Sequence, residues 1–336
     1  MLNEPNLHHF WTSDRAEYFK LYRYTVEAIK EVDPSLRVGG PATAQNAWIA
    51  EFLEFCERHG LPADFVSTHY YPTDAFGEIG ADSDTQLANA PRDVMRQRAL
   101  ETHDQARGLP VYYTEWNTSS NPRHDLHDRP ASAAYATRIL MSVRRLVQGY
   151  SLWTFSDIFE ENYFPSIPFH GGFGLLTVHG IPKPIYRAYQ ILHRLGSEEL
   201  DVQGAHETVE VWAVRKPGDR GATSLTLLLV NDAQPRQPIK TELVRVRLAN
   251  APAPLAAFVE RIDEDHANPR LAWEEMGRPK YLSSRQLAQL QSVSQLRKEA
   301  VGWQQADGAL QLELDLPPHS LAALTVEFAP TACEGG

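Results

Sequence analysis

Helical and strand-like segments alternate along the first 196 residues, and this alternation is the feature that most restricts the fold. The predicted helices begin near Ser13, Trp48, Asp84, Pro130 and Ile185, and the predicted strands cover Leu36–Val38, Asp64–Tyr71, Val111–Asn117 and Tyr150–Phe155. Strands that alternate with helices pair in parallel, with right-handed crossovers. An open, doubly wound sheet is the structural alternative, but no Gly-rich dinucleotide loop follows a predicted strand.

The strand Val111–Asn117 ends in a carboxylate, Glu115, against the burial preference of acidic residues. In a barrel of parallel strands, catalytic groups sit at the carboxyl ends of the strands. The alternative is a solvent-facing or Arg-paired carboxylate without a chemical role. Asn3–Asn6 offers a second carboxylate, Glu4, in a turn restricted by Pro5, although such a turn is also explained by capping residues. Retaining glycoside hydrolysis needs two carboxyl groups about 5–5.5 Å apart, one protonated and one ionised.

From residue 197 the periodicity changes to short strands separated by turn residues, which predicts a β-sandwich. The leucines of residues 310–316 alternate strictly, and Arg270–Lys298 has helical spacing with Ser283 or Ser284 as its N-cap. We therefore expect a catalytic domain over residues 1–196, an all-β accessory domain with a helical insertion over 197–330, and a tail over 331–336.

Composition and charge exclude several classes of partner. The net charge of -11 and the lack of a Lys/Arg cluster argue against nucleic acid. No apolar run approaches the length of a membrane span, so no membrane partner is expected. Cys56 and Cys333 give no disulfide framework, and we expect two free thiols. With no visible signal peptide, this predicts a reducing, cytoplasmic location.

The segment His124–Asp128 carries histidines and aspartates, which are metal-ligand types. It lies in a polar loop before the helix at Pro130. The sequence therefore predicts solvated capping residues there rather than a metal site.

Several motifs occur in a fixed order along the chain. They are Asn3–Asn6, Val38–Ala42, Ser67–Pro72, Thr114–Asn117 and Trp153–Glu161, and Pro168–Gly174 extends the series. Together they resemble glycoside hydrolase family 39, the family of β-xylosidases and α-L-iduronidases. The similarity runs from Asn3 to about Phe328.

The resemblance implies a (β/α)8 TIM barrel with Glu4 as the acid/base at strand four and Glu115 as the nucleophile at strand seven. It implies further substrate-site residues: Asn3, His69, Tyr71, Trp153, Glu160 and Glu161. A hydrogen bond from Tyr71 to Glu115 would favour the ionised nucleophile. From the residues alone, Trp153 serves equally well as a core aromatic, and Glu160 and Glu161 as a solvated pair.

The implied mechanism is double displacement. Glu115 attacks the anomeric carbon while Glu4 protonates the leaving oxygen, and water then hydrolyses the glycosyl-enzyme with Glu4 as base. Glu4 must be protonated in the free enzyme, which the nearby charge of Glu115 favours. No metal or organic cofactor is required. The implied reaction releases xylose from xylo-oligosaccharides, with α-L-iduronidase and α-L-arabinosidase activities as alternatives within the class.

Family members carry about three further βα units before the motif at Asn3–Asn6, which this sequence lacks. We therefore expect an α/β fold with an incomplete barrel of strands four to eight. A terminal position predicts fraying near Glu4, and the open barrel predicts unpaired edges that a homo-oligomer would cover. The alternative from another functional class is an inactive homologue with a carbohydrate-binding or structural role.

Overall fold

The computed structural model describes residues 2–74, 81–159, 166–218 and 222–330. The chain divides into two compact units, Met1–Asn121 with Ile139–Trp153, and Pro122–Arg138 with Thr154–Gly336. The domain boundary between residues 196 and 197 stays a prediction. Among the helices of the described ranges, none is long and apolar enough to cross a bilayer.

A parallel sheet with the strand order β1-β2-β3-β4 forms the centre of the first unit. Its strands are β1 (Gly39–Thr43), β2 (Phe65–His69), β3 (Val111–Trp116) and β4 (Gly149–Leu152). The helices are α1 (Arg15–Val32), α2 (Ile49–His59), α3 (Ser83–Asn89), α4 (Val94–Gln105) and the C-terminal part of α5 (Pro130–Val143). The parallel pairing expected from the alternation of helices and strands is confirmed.

The helix ends follow from local chemistry. Asp14, not Ser13, caps α1, because its side chain accepts the Glu17 N–H at 2.9 Å. The prediction of one helix from Asp84 to Arg107 was wrong, since α3 and α4 are separate. Pro91 lacks an N–H and clashes with the preceding helical turn, and Ala90 before it is extended.

Aromatic packing joins α1 to α2, and a hydrogen bond joins α1 to the sheet. The rings of Tyr22 and Phe52 meet edge to face with centroids 4.7 Å apart, and Phe52 is fully buried. The Tyr18 hydroxyl donates to the Pro41 carbonyl at 2.7 Å, inside β1. This bond connects α1 to the strand whose end carries part of the candidate site.

Two antiparallel sheets make up most of the second unit. The larger has the order β10-β9-β13-β7-β6-β5 and the smaller β11-β12-β8. The strands are β5 (Glu198–Leu200), β6 (Val209–Pro217), β7 (Thr223–Asn231), β8 (Glu242–Ala249), β9 (Ala256–Ile262), β10 (Glu299–Ala300), β11 (Trp303–Ala306), β12 (Ala309–Leu316) and β13 (Ser320–Phe328). Leu229 and Leu324 of the larger sheet share one apolar cluster with Leu312 and Leu314 of the smaller. This is the sandwich-like arrangement that the alternating leucines predict.

The helices of the second unit are α6 (Pro184–His193), α7 (Pro269–Glu275), α8 (Ser284–Val293) and the N-terminal part of α5. A single helix over Arg270–Lys298 was the wrong prediction, because α7 ends before Gly277, which has a φ of +81°. Ser283 is the N-cap of α8 and forms a capping box with Gln286.

A buried ion cluster lies in the second unit around Lys183, which is fully buried. Its Nζ lies 2.7 Å from Asp128 Oδ1 and 2.8 Å from Asp157 Oδ2, and donates to the Gly172 carbonyl at 2.8 Å. Burial lowers the pKa of Lys183, but the two carboxylates outweigh burial and raise it. Lys183 is therefore a fixed cation that compensates two buried anions.

The same cluster corrects the expectation of a solvated loop at His124–Asp128. His127 and Asp128 are buried, and His127 Nδ1 lies 2.8 Å from the Gly171 carbonyl oxygen. Burial lowers the pKa of His127 to about 3, so its imidazole stays neutral. Asp128 is therefore a partner of the cluster and His127 is buried beside it, whereas Asp125 is exposed and pairs with Arg129.

Replacing Lys183 with Met should destabilise the protein by about 3–5 kcal/mol at pH 7, because both aspartates would be left buried without a cation. At acidic pH the loss should shrink, since protonation removes those charges. Urea unfolding at two pH values measures both effects. Lys20→Met, which removes an exposed pair with Glu17, is the matched control and should leave the unfolding midpoint unchanged. Equal midpoints for the two variants would contradict the compensating role of Lys183.

Candidate active site

Buried acidic side chains collect where strands of the parallel sheet end. Glu4 is 7% exposed and Glu115 is 8% exposed, and His69 lies with them at 2%. Charged side chains are rarely buried to this extent unless they are paired or have a function.

Irregular strand register brings two of these side chains together. Along β2 and β3, Thr68 pairs with Tyr113, but His69 pairs with Glu115, so that Thr114 is skipped. Along β1 and β2, Ala42 is skipped in the same way. An extra residue in one strand bends it and changes the direction of the side chains that follow. The register shift places His69 directly opposite Glu115.

The segment that carries Glu4 is attached to the end of β1. The Glu4 N–H donates to the Ala42 carbonyl at 2.9 Å. The Asn6 side chain donates to the Ala44 carbonyl at 3.1 Å and accepts the Ala44 N–H at 2.8 Å. Glu4 has a φ of +43°, a left-handed conformation that costs a non-glycine residue roughly 1 kcal/mol or more. These bonds hold the segment for which a terminal position predicts fraying.

His69 contacts both carboxyl groups. Its Nδ1 lies 3.0 Å from Glu4 Oε1 and 3.5 Å from Glu115 Oε2. Its Nε2 lies 3.0 Å from Thr114 Oγ1, which fixes the plane of the ring. The imidazole therefore links the two acids from one side.

Glu115 has further partners that favour its ionised form. The Tyr71 hydroxyl donates to Glu115 Oε1 at 2.8 Å, and the Asn3 side chain also bonds to this carboxylate. Burial nevertheless raises the pKa of Glu115, with His69 and Tyr71 opposing the shift and the charge of Glu4 adding to it. Burial also raises the pKa of Tyr71 well above its usual value, so its hydroxyl remains a donor.

The other predicted site residues are less well located. Trp153 is half-buried beside the end of β3, where its backbone N–H donates to the Trp116 carbonyl at 2.8 Å. Its role as a sugar platform stays a prediction. Glu160 and Glu161 lie outside the described residues.

Three residues of the site also have the ligand types of a metal centre. Glu4, His69 and Glu115 each offer one atom, and these atoms lie within 4.8 Å of one another. Two carboxylates and an imidazole could hold a divalent ion such as zinc. Without an ion, the same three side chains contact one another, because His69 Nδ1 lies near an oxygen of both Glu4 and Glu115.

Sequence reasoning missed Thr114 and Asp74. Thr114 is the exposed residue of β3 that the register skips, and it nevertheless bonds to His69 through its hydroxyl. Asp74 lies in the turn after β2, and its Oδ2 accepts the Tyr71 N–H at 2.9 Å. Its position three residues after Tyr71 was a usable signal, because Asp commonly bonds to the backbone of its own turn.

Asp74 adds a third acid to the surroundings of the pair. Burial raises its pKa to about 7, the charges of Glu4 and Glu115 add to the rise, and bonds from Tyr71 and Ser120 oppose it. Asp74 is therefore largely neutral below pH 7 and charged above it.

The chain matches the family model described as glycosyl hydrolases family 39 over residues 1–311. It is 44% identical to a β-xylosidase of Caldicellulosiruptor saccharolyticus, covering 97% of this chain and 67% of that protein. A β-xylosidase of Geobacillus stearothermophilus is 35% identical, with 97% and 64% covered. The crystal structure of a monomeric β-xylosidase from Caulobacter crescentus CB15 superposes with a TM-score of 0.80 at 35% identity, covering 97% of this chain and 69% of that one. The chain spans about two thirds of the length of these relatives.

Replacing Tyr71 with Phe should raise the pKa of Glu115 further, because a hydrogen bond to the carboxylate is lost while its burial remains. The change can be followed by NMR titration of ¹³C-labelled glutamate carboxyls, with Glu115→Gln to assign the signal. Tyr22→Phe removes a hydroxyl that donates to the Pro62 carbonyl and is the matched control. A Glu115 titration unchanged in Tyr71→Phe would contradict the contact.

Asp74→Asn should change how stability depends on pH. The folded-state pKa of Asp74, about 7, exceeds the unfolded value of about 3.9, so wild-type protein loses stability as pH rises through this interval. The variant lacks that loss, and its melting temperature relative to wild type should be higher at pH 8 than at pH 5. Asp33→Asn, in an exposed turn, should show the same difference at both pH values. The idea fails if Asp74→Asn behaves like Asp33→Asn.

Proposed function

The chain belongs to glycosyl hydrolase family 39, and from this membership we propose that it is a retaining β-xylosidase that releases xylose from xylo-oligosaccharides. The relatives that are β-xylosidases support this choice over α-L-iduronidase or α-L-arabinosidase activity. The proposed substrate is therefore a small β-xyloside.

The separation of the two acids is the observation that carries the proposal. One carboxylate oxygen of Glu4 and one of Glu115 lie within 4.8 Å of each other, and His69 Nδ1 contacts both acids. Retaining glycosidases hold their two carboxyl groups about 5–5.5 Å apart, whereas inverting enzymes leave about 6.5–9.5 Å for a water molecule. The spacing supports attack by one carboxylate on the sugar itself.

We assign Glu115 as the nucleophile and Glu4 as the acid/base. Glu115 accepts hydrogen bonds from Tyr71 and Asn3, which is what a carboxylate that must stay ionised requires. Glu115 attacks the anomeric carbon and Glu4 donates its proton to the leaving oxygen. In the second step Glu4 takes a proton from water, which attacks the glycosyl-enzyme and releases Glu115.

The remaining site residues are proposed to bind substrate. Asn3 is exposed at the protein surface next to Glu115 and can donate to a sugar hydroxyl. His69 and Tyr71 orient the acids, and Trp153 is proposed as the apolar platform for the sugar face. Glu160 and Glu161 are proposed to bind hydroxyls on the strength of the motif alone.

The fold assignment is proposed at a finer level on the same basis. The four parallel strands, with the segment of Glu4 before them, are proposed to correspond to strands four to eight of a (β/α)8 barrel. Residues 1–196 would form this catalytic domain and 197–330 the β-sandwich. A cytoplasmic location and a homo-oligomer that covers the barrel edges stay predictions. The monomeric relative from Caulobacter crescentus gives the oligomer no support.

Hydrolysis of an aryl β-xyloside tests the activity. Glu115→Ala and Glu4→Ala should each lower kcat/KM by at least about 10³-fold, while Glu101→Ala, on an exposed face of α4, should leave it unchanged. Wild-type protein without turnover would overturn the proposal and favour an inactive carbohydrate-binding homologue.

Rescue with azide separates the two roles. In Glu115→Ala, azide attacks the substrate directly and should give an α-xylosyl azide. In Glu4→Ala, azide attacks the glycosyl-enzyme and should give the β-azide. The reverse pattern would exchange the assignments of Glu4 and Glu115.

A further inference from the structure

We propose that Asp74 is a positioning residue for the nucleophile, because it fixes the turn from which Tyr71 reaches Glu115. The inference rests on the proposed role of Glu115. Asp74 itself does not have to touch the sugar. Its action passes through the backbone of Tyr71 and then through the Tyr71 hydroxyl.

Asp74 holds both backbone polar groups of Tyr71. Its side-chain Oδ2 accepts the Tyr71 N–H at 2.9 Å, and its own N–H donates to the Tyr71 carbonyl at 3.1 Å. Such a doubly bonded turn leaves the Tyr71 backbone little freedom. The side chain of Tyr71 is 6% exposed and extends from this turn to Glu115 Oε1 at 2.8 Å.

The turn is also tied to the chain on either side of β2. Gln45, which follows β1, donates from Nε2 to the Asp74 carbonyl at 3.2 Å. The Ser120 N–H, in the loop after β3, donates to Thr73 Oγ1 at 3.0 Å, and the two hydroxyl oxygens of Thr73 and Ser120 lie 2.9 Å apart. Ser120 also hydrogen-bonds to the Asp74 carboxyl. The carboxyl ends of three neighbouring strands are thereby joined through one turn.

This network explains an otherwise costly arrangement. A third acid near two others adds repulsion whenever it is charged, and a hydrophobic residue in the turn would avoid that cost. A side chain at this position must carry an acceptor atom to bind the Tyr71 N–H. The backbone carbonyl of Asp74 meanwhile accepts the hydrogen bond from Gln45. The position of the Tyr71 hydroxyl, which Glu115 uses, depends on that acceptor.

A double-mutant cycle tests the inference. We expect Asp74→Ala to lower kcat/KM for an aryl β-xyloside about tenfold at pH 5.5, where Asp74 is largely neutral. In a Tyr71→Phe background the same change should cost less than about twofold, because the hydroxyl to be positioned is absent. Equal losses in both backgrounds would overturn the proposal and leave Asp74 with a purely structural role.

Two further variants keep the test independent of folding failure. Asp74→Asn retains an acceptor oxygen, so its kcat/KM should stay within about threefold of wild type. Thr73→Val removes the link to Ser120 and should lower kcat/KM, again only when Tyr71 is present. Asp33→Ala removes a comparable bond to a turn N–H, at 2.8 Å in an exposed turn, and should leave kcat/KM unchanged.

The Glu115 carboxyl titration distinguishes failure of this inference from failure of the proposed function. Asp74→Ala should raise the pKa of Glu115 in the same direction as Tyr71→Phe, and the double variant should go no further than Tyr71→Phe alone. This readout needs no turnover, so wild-type protein that fails to hydrolyse xylosides would still allow the test. A Glu115 titration unmoved by Asp74→Ala would overturn the inference.

Discussion

Two carboxyl groups buried beside one imidazole impose the main physical demand on this structure. One carboxylate oxygen of Glu4 lies within 4.8 Å of one of Glu115. At that distance and an effective dielectric constant of about 20, two full charges repel each other by about 3 kcal/mol. The charge of Glu4 accordingly adds to the rise in the pKa of Glu115, of which burial is the main cause. Hydrogen bonds from Tyr71 and Asn3 to Glu115 oppose that rise.

The irregular strand register is what brings these groups together. In a regular parallel pair, His69 would lie opposite Thr114, and Glu115 would be one position out of reach. The irregularity at Ala42 serves the other acid, because the Ala42 carbonyl accepts the Glu4 N–H. Both register shifts make the sheet less regular, and both lie at the strand ends where the side chains of the site meet.

The sequence predicted elements whose signals are local. The alternation of helices and strands and the carboxylate in β3 follow from residues within single elements. The break at Pro91 is equally local, because proline lacks the N–H that a continuous helix from Asp84 to Arg107 would need. Motif resemblance, rather than periodicity, singled out Glu4, His69 and Tyr71.

Features that depend on tertiary register were not predictable in this way. The pairing of His69 with Glu115 arises because Thr114 is skipped in the register of two strands that are far apart along the chain. The polar segment His124–Asp128 had the composition of a solvated loop, yet His127 and Asp128 are buried because Lys183 and the Gly171 carbonyl supply partners. The sequence shows that a buried polar side chain would need a hydrogen-bond or ionic partner, but it does not show which distant residue supplies that partner.

The two groups of buried acids show two opposite solutions to one electrostatic problem. Asp128 and Asp157 are compensated by the buried cation Lys183, which contacts both carboxylates. Within the described part of the chain, Glu4 and Glu115 are instead contacted by His69 and by neutral donors. A lysine beside them would favour the ionised form of both acids, whereas the proposed mechanism requires one of them to deliver a proton. In the proposed mechanism, incomplete compensation of the pair is therefore a requirement. The bonds of Asp74 and Asn6 hold the turn of Tyr71 and the segment of Glu4 in place around the pair.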